Sequence, residues 1–81
     1  MTFDDLRARL VENLRFRVRS GEATERGLAR LTGISQPHLH HVLKGKRLLS
    51  LERADDVLRR LNMDILDLIP PAELRQHRPH R

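Results

Sequence analysis

Apolar residues along this chain recur at spacings of three and four, the mark of helices that each turn one face to a core. Phe3, Leu6, Leu10 and Leu14 form the first stripe, and Thr2 with Asp5 makes a capping box at its start. The pattern predicts helix one from Phe3 to about Arg19, ended by Ser20-Gly21, with Gly21 in the left-handed conformation of a C-terminal cap. Thr24 caps a short second helix from Glu25 to about Leu31, with Leu28, Ala29 and Leu31 expected to face inward. Gly33 breaks that helix. Ser35 caps again, and Pro37 falls in the first turn, where its missing N–H has no helical partner to lose. Helix three therefore starts at Gln36 and stops at Gly45. Ser50 caps helix four, Leu51 to Leu61, with Leu51, Ala54, Val57, Leu58 and Leu61 on one face and Arg53, Asp56, Arg59 and Arg60 largely outside. Asp64 caps a short fifth helix carrying Ile65, Leu66, Leu68 and Ile69, which Pro70-Pro71 terminates. No strand pattern and no internal repeat emerge. The expectation is an all-α, compact five-helix domain over residues 1–70, followed by a basic, flexible tail over 71–81.

The third helix carries the candidate chemistry. At about 100° per residue, Leu39, Val42 and Leu43 share one side, Pro37, His41 and Lys44 fall opposite, and His38 and His40 lie on the flanks. So narrow an apolar stripe leaves a polar face wide enough to enter a DNA major groove. Two short helices joined at Gly33 fit the helix-turn-helix pattern. Gln36 at the helix start is nearest the base edges, where Gln pairs bidentately with adenine; histidine can donate to guanine or contact a phosphate. Pro37 offers only an apolar contact, such as with a thymine methyl. Lys44, Lys46 and Arg47, just beyond the helix, are placed to hold phosphates and set its depth.

Charge sharpens this picture. The formal net charge is +5, and residues 23–50 carry five cations against the single acid Glu25, whereas 51–69 carry three cations against five acids. A basic segment on an otherwise near-neutral domain is a nucleic-acid footprint, with a solvated surface as the plain alternative. The core has neither Trp nor Tyr to draw on, which favours helix over sheet. With no cysteine, disulfides and thiolate metal sites are excluded. The first residues, MTFDDLRARL, carry acids where a secretory signal carries basic residues, and no apolar run is long enough to cross a bilayer; a cytoplasmic protein without membrane partners is expected.

Leu28-Ala29, Gly33-Ile34-Ser35, Leu39, Val42 and Lys44-Gly45-Lys46, followed by Leu51, Ala54 to Leu61 and Asp64-Ile65-Leu66-Asp67-Leu68, together resemble the lambda-repressor-like or Cro/C1 (Xre-type) helix-turn-helix family over residues 23–69. The resemblance implies a domain whose helix two lies across the DNA backbone while helix three reads the major groove. It puts Gln36, Pro37, His38 and His41 at base-contacting positions and Glu25, Lys44 and Lys46 at phosphate-facing ones. Thr24, Ser35, His40 and Arg47 complete the candidate phosphate set. The chain departs from the family at three places. Glu25 stands where the family often has a phosphate-gripping Gln. Leu43 replaces a buried acid that is often paired with Arg from helix one, with Val18 as its expected apolar counterpart. Pro37 removes a hydrogen-bonding side chain from a reading position.

Other chemistries find less support. His38 and His41 are spaced as metal ligands can be, but neither a cysteine nor a carboxylate on the same helix completes a set. No Ser, His and acid spacing and no Gly-rich phosphate loop suggests an enzyme. The expectation is a sequence-specific DNA-binding regulator of transcription, a repressor, working without metal or cofactor as a homodimer on a two-fold operator. Ile65 to Ile69 is the candidate dimer surface, with ordinary core as the competing assignment. Histidines near phosphates should charge more readily, so binding is expected to strengthen as pH drops from about 7.5 to about 6. A protein-interaction module or an antitoxin on the same fold is the alternative, since fold does not dictate function.

Overall fold

The computed structural model describes residues 1–69 and Ala72, so the expected tail over 71–81 lies, Ala72 apart, outside the described residues. Four α-helices and one short 3-10 helix follow in order: α1 (Phe3–Arg19), α2 (Glu25–Thr32), α3 (Gln36–Leu43), α4 (Leu51–Arg60) and a 3-10 helix at Ile65–Leu68, with no strand among the described residues. The regular structure of the described residues is all helical.

Local chemistry sets where each helix begins. The side chains of Thr2, Thr24, Ser35 and Ser50 accept from backbone N–H groups in the first turns of α1 to α4. Thr2 and Asp5 form a reciprocal box, with the Thr2 N–H donating to Asp5 at 2.9 Å and the Asp5 N–H to Thr2 at 3.1 Å. Gly33 closes α2 at φ +75°, a left-handed value that an L side chain takes at a cost, and its N–H caps the Ala29 carbonyl.

The core joins all of these elements. Leu10 and Leu14 of α1 meet Leu28 and Ala29 of α2, Ile34 of the turn, Leu39, Val42 and Leu43 of α3, Leu49, Ala54, Val57 and Leu58 around α4, and Leu68. Helix α1 packs on α3, α4 and the 3-10 helix, and α2 packs on α3 and α4. Three arginines of α1 also hold backbone carbonyls of later segments. Arg7 donates to the Leu49 carbonyl at 3.0 Å, Arg9 to that of Leu68 at 3.4 Å, and Arg15, through Nε and Nη2, to that of Leu43 at 2.9 and 2.7 Å. The last of these holds the final turn of α3, where carbonyls have no helical partner.

Several expectations are corrected. The fifth helix is a four-residue 3-10 turn, boxed at its start by Asp67 accepting the Asp64 N–H at 2.8 Å and cut short because Ile69 is already extended ahead of Pro70. Helix α2 gains Thr32, while α3 stops at Leu43 and α4 at Arg60. Phe3 (69% exposed) and Leu51 (53%) are the first residues of their helices and project past the core. Leu31 (56% exposed) lies beyond an arc that runs through Leu28, Ala29 and Thr32. Thr32 can be buried because its hydroxyl donates to the Leu28 carbonyl at 2.7 Å and accepts from Ile34 N–H at 3.4 Å. Ile65 and Leu66 are exposed, whereas Leu68 is core and Ile69 half-buried, which divides the expected dimer surface. Leu43 is buried with Val18 packed against the same core, yet the polar contact at this place is made by Arg15 to the backbone.

Candidate nucleic-acid interface

Helix α3 lies against the core through Leu39, Val42 and Leu43, and this fixes which side chains remain outside. Gln36, Pro37 and His41 are exposed, and His38 and His40 are half-buried. Gln36, Pro37, His40 and His41 line one shallow hollow together with Glu25 from the start of α2. His38, on the same helix, does not line that hollow. His40 and His41 meet edge to face, with ring centroids 5.8 Å apart. The His40 ring also reaches across to Glu25, with Nδ1 at 3.1 Å from Oε1.

Thr24 and Ser35 both face solvent, and both hydroxyl oxygens are engaged as caps, Thr24 accepting from Gly27 N–H at 2.9 Å and Ser35 from His38 N–H at 3.3 Å. A hydroxyl that accepts in this way still has its own hydrogen to donate outward. Beyond α3 the chain turns sharply. Gly45 takes φ +78° and donates to the Val42 carbonyl, while the N–H groups of Lys46 and Arg47 converge on the His41 carbonyl at 2.9 and 3.3 Å. These bonds hold the exposed Lys44, Lys46 and Arg47 against the end of α3.

The ion pairs among the described residues lie mostly on α1 and α4, although Arg17, Arg19 and Arg53 on those helices have no paired acid. On α1, Arg7 pairs with Asp4 and Arg15 with Glu12; on α4, Arg59 pairs with Asp55 at 2.7 Å and Arg60 with Asp56 at 3.2 Å. Among the described residues no acid pairs with Arg26, Arg30, Lys44, Lys46 or Arg47. Cations left unneutralised at a surface are the ones that can release counterions to a polyanion. Arg26 and Arg30, exposed one turn apart on α2, had no role assigned from the sequence, although they supply two of the five cations in its basic segment. Arg60 of α4, paired with Asp56, lays its guanidinium over Gly33, 3.3 Å from where a Cβ would stand.

No protein-family model, curated protein or solved structure matches this chain. Among the described residues no three His, Asp or Glu side chains converge as metal ligands, and no helix is long and apolar enough to cross a membrane.

Proposed function

We propose that this chain is a sequence-specific DNA-binding regulator of transcription, a repressor of the lambda-repressor-like helix-turn-helix type, that reads the major groove with α3. The reading is carried by an exposed helix start with hydrogen-bonding side chains on α3, together with exposed Arg26 and Arg30 on α2 and Lys44, Lys46 and Arg47 just after α3, none of which has a paired acid among the described residues. Gln36 and His41 supply donors and acceptors for base edges, and Pro37 an apolar contact. Arg26, Arg30, Lys44, Lys46 and Arg47 hold phosphates and fix the register, helped by the hydroxyls of Thr24 and Ser35. His38 contacts base edges from the flank of the helix. The work is done by two copies on a two-fold site in the cytoplasm, without cofactor.

The test is selection of bound sequences from a random DNA pool at two salt concentrations. An enriched, roughly palindromic motif is the expected result. Salt-sensitive binding without a motif would reduce the reading to a non-specific DNA binder, and absence of binding at low salt would turn it to a protein-interaction module on this fold.

A further inference from the structure

Glu25 is the one acid in a segment with five cations, and it opens α2 beside the polar residues of α3. An ionised carboxylate there repels a phosphate. Its side-chain partner is His40, whose Nδ1 lies 3.1 Å from Oε1 and 3.4 Å from Oε2. A carboxylate can only accept, so the hydrogen in this bond belongs to Nδ1. In neutral His40 the other ring nitrogen, Nε2, is then a bare lone pair. The pair as a whole carries one negative charge and offers a phosphate no donor.

One more proton, taken from solvent, reverses both properties. It settles on Nε2, making an N–H donor while Nδ1–H stays on Glu25, and the charge of the pair goes from −1 to zero. The ring is reachable, with 46% of the His40 side chain exposed and the ring lining the open hollow with Gln36, Pro37 and His41. The charged and titratable groups around it are Glu25 from α2, with His41 beside it and Lys44 one turn on along α3; α1 and α4 give it no ion pair or hydrogen bond among the described residues. We propose that Glu25 and His40 form a proton-linked phosphate contact, with Glu25 as the positioning residue that holds His40 in the tautomer unable to grip DNA until a second proton arrives. The inference rests on the DNA-binding reading.

The test measures affinity of the full chain for a labelled random-sequence duplex of about 30 base pairs, some three helical turns, at fixed low salt and at about pH 8 and about pH 6. One linked proton can change affinity by at most about tenfold per pH unit. The full chain is expected to gain on the order of fivefold or more on acidification. Glu25→Gln removes the charge and frees neutral His40 to carry its hydrogen on Nε2, so this variant should bind at the higher pH about as tightly as the unaltered chain does at the lower. Its remaining gain should shrink to what His38, His41, His77 and His80 contribute. His40→Gln leaves Glu25 charged, and is expected to bind weakly at both pH values with the same reduced gain. An undiminished gain in both variants would overturn the proton-linked contact while leaving DNA binding intact, as would an equal loss at both pH values in Glu25→Gln. No DNA binding by the unaltered chain at either pH would overturn the contact and the DNA-binding reading together.

Discussion

Gln36 opens α3 and Lys46 follows its end, both exposed, and on the proposed reading their chemistry gives them different tasks on DNA. Gln36 is exposed at the start of α3, and an amide can pair with one base while losing that pairing on another. Gln36→Ala is expected to cost about 1–3 kcal/mol on the preferred sequence and to flatten preference at one base position. Lys46 is a point charge beyond the helix, so Lys46→Ala should weaken all sequences alike and lower the salt slope by about one. Binding titrations on matched and altered duplexes at several salt concentrations separate the two; a uniform loss for Gln36→Ala would remove it from the reading set. Asp5 titrates into stability instead. The Thr2 N–H bonded to it holds its carboxyl below the ordinary carboxylate value. A depressed carboxylate stabilises the fold above its ordinary pKa and stops doing so as pH falls through the lowered one. Thermal melts into the acid range should therefore show a stability loss that Asp5→Asn lacks. The outward positions of Pro37, His41 and Lys44 were legible from helical angle alone, whereas Gln36 is exposed as the first residue of its helix. The Glu25–His40 pair was not legible, because it joins residues fifteen apart whose meeting depends on how α2 crosses α3.

Helix starts were legible, as was the end of α1 at Arg19 with its left-handed Gly21, for the same reason that the ends of α2, α3 and α4 were not. Each start is a Ser or Thr acting on its own first turn, chemistry local enough to read from a few residues. The later ends depend on what the neighbouring segments supply. Thr32 joins α2 only because Leu28 and Ile34 satisfy its hydroxyl inside the core, and the last segment stays short because Ile69 is already extended ahead of Pro70. The contact between α1 and α3 is of this second kind. Arg15, which the helical pattern leaves as one more surface cation, spans the gap to the Leu43 carbonyl with two hydrogen bonds and so holds the end of the proposed reading helix. Arg15→Ala is expected to destabilise the fold by about 1–2 kcal/mol, as loss of charge-assisted bonds to a partly buried carbonyl should, and to loosen the last turn of α3. Denaturant unfolding measures the first effect and amide hydrogen exchange at Val42 to Lys44 the second. Unchanged exchange there would mean that the core contacts of Val42 and Leu43 hold the helix end unaided.

At the scale of the molecule, four of the exposed large apolar residues belong to one region. Phe3, Leu51, Ile65 and Leu66 are exposed, and the first three line a groove with Leu6, Ala54 and Leu68 between α1, α4 and the 3-10 helix. These elements are not the ones that carry the candidate DNA face. A single helical module of this kind buries only about 600–1,000 Å² of protein on DNA, so tight operator binding calls for two copies with half-sites about 34 Å apart. A second copy seated on this groove would leave both α3 helices free. Ile65→Asp tests this directly, since an exposed substitution changes folding stability by only about 0.5 kcal/mol either way. Sedimentation should find the unaltered chain dimeric and the variant monomeric, with affinity for a two-fold site reduced at least on the order of tenfold and affinity for an isolated half-site unchanged. Leu68→Ala, one turn along in the same segment, should behave differently. Leu68 is buried, so its truncation is expected to cost about 2–5 kcal/mol of fold stability. The segment that reads in sequence as a single apolar run thus divides by burial into one residue that holds the fold and two that can hold a partner. A monomer at every concentration for the unaltered chain would return Ile65 and Leu66 to the ordinary apolar surface of a small domain.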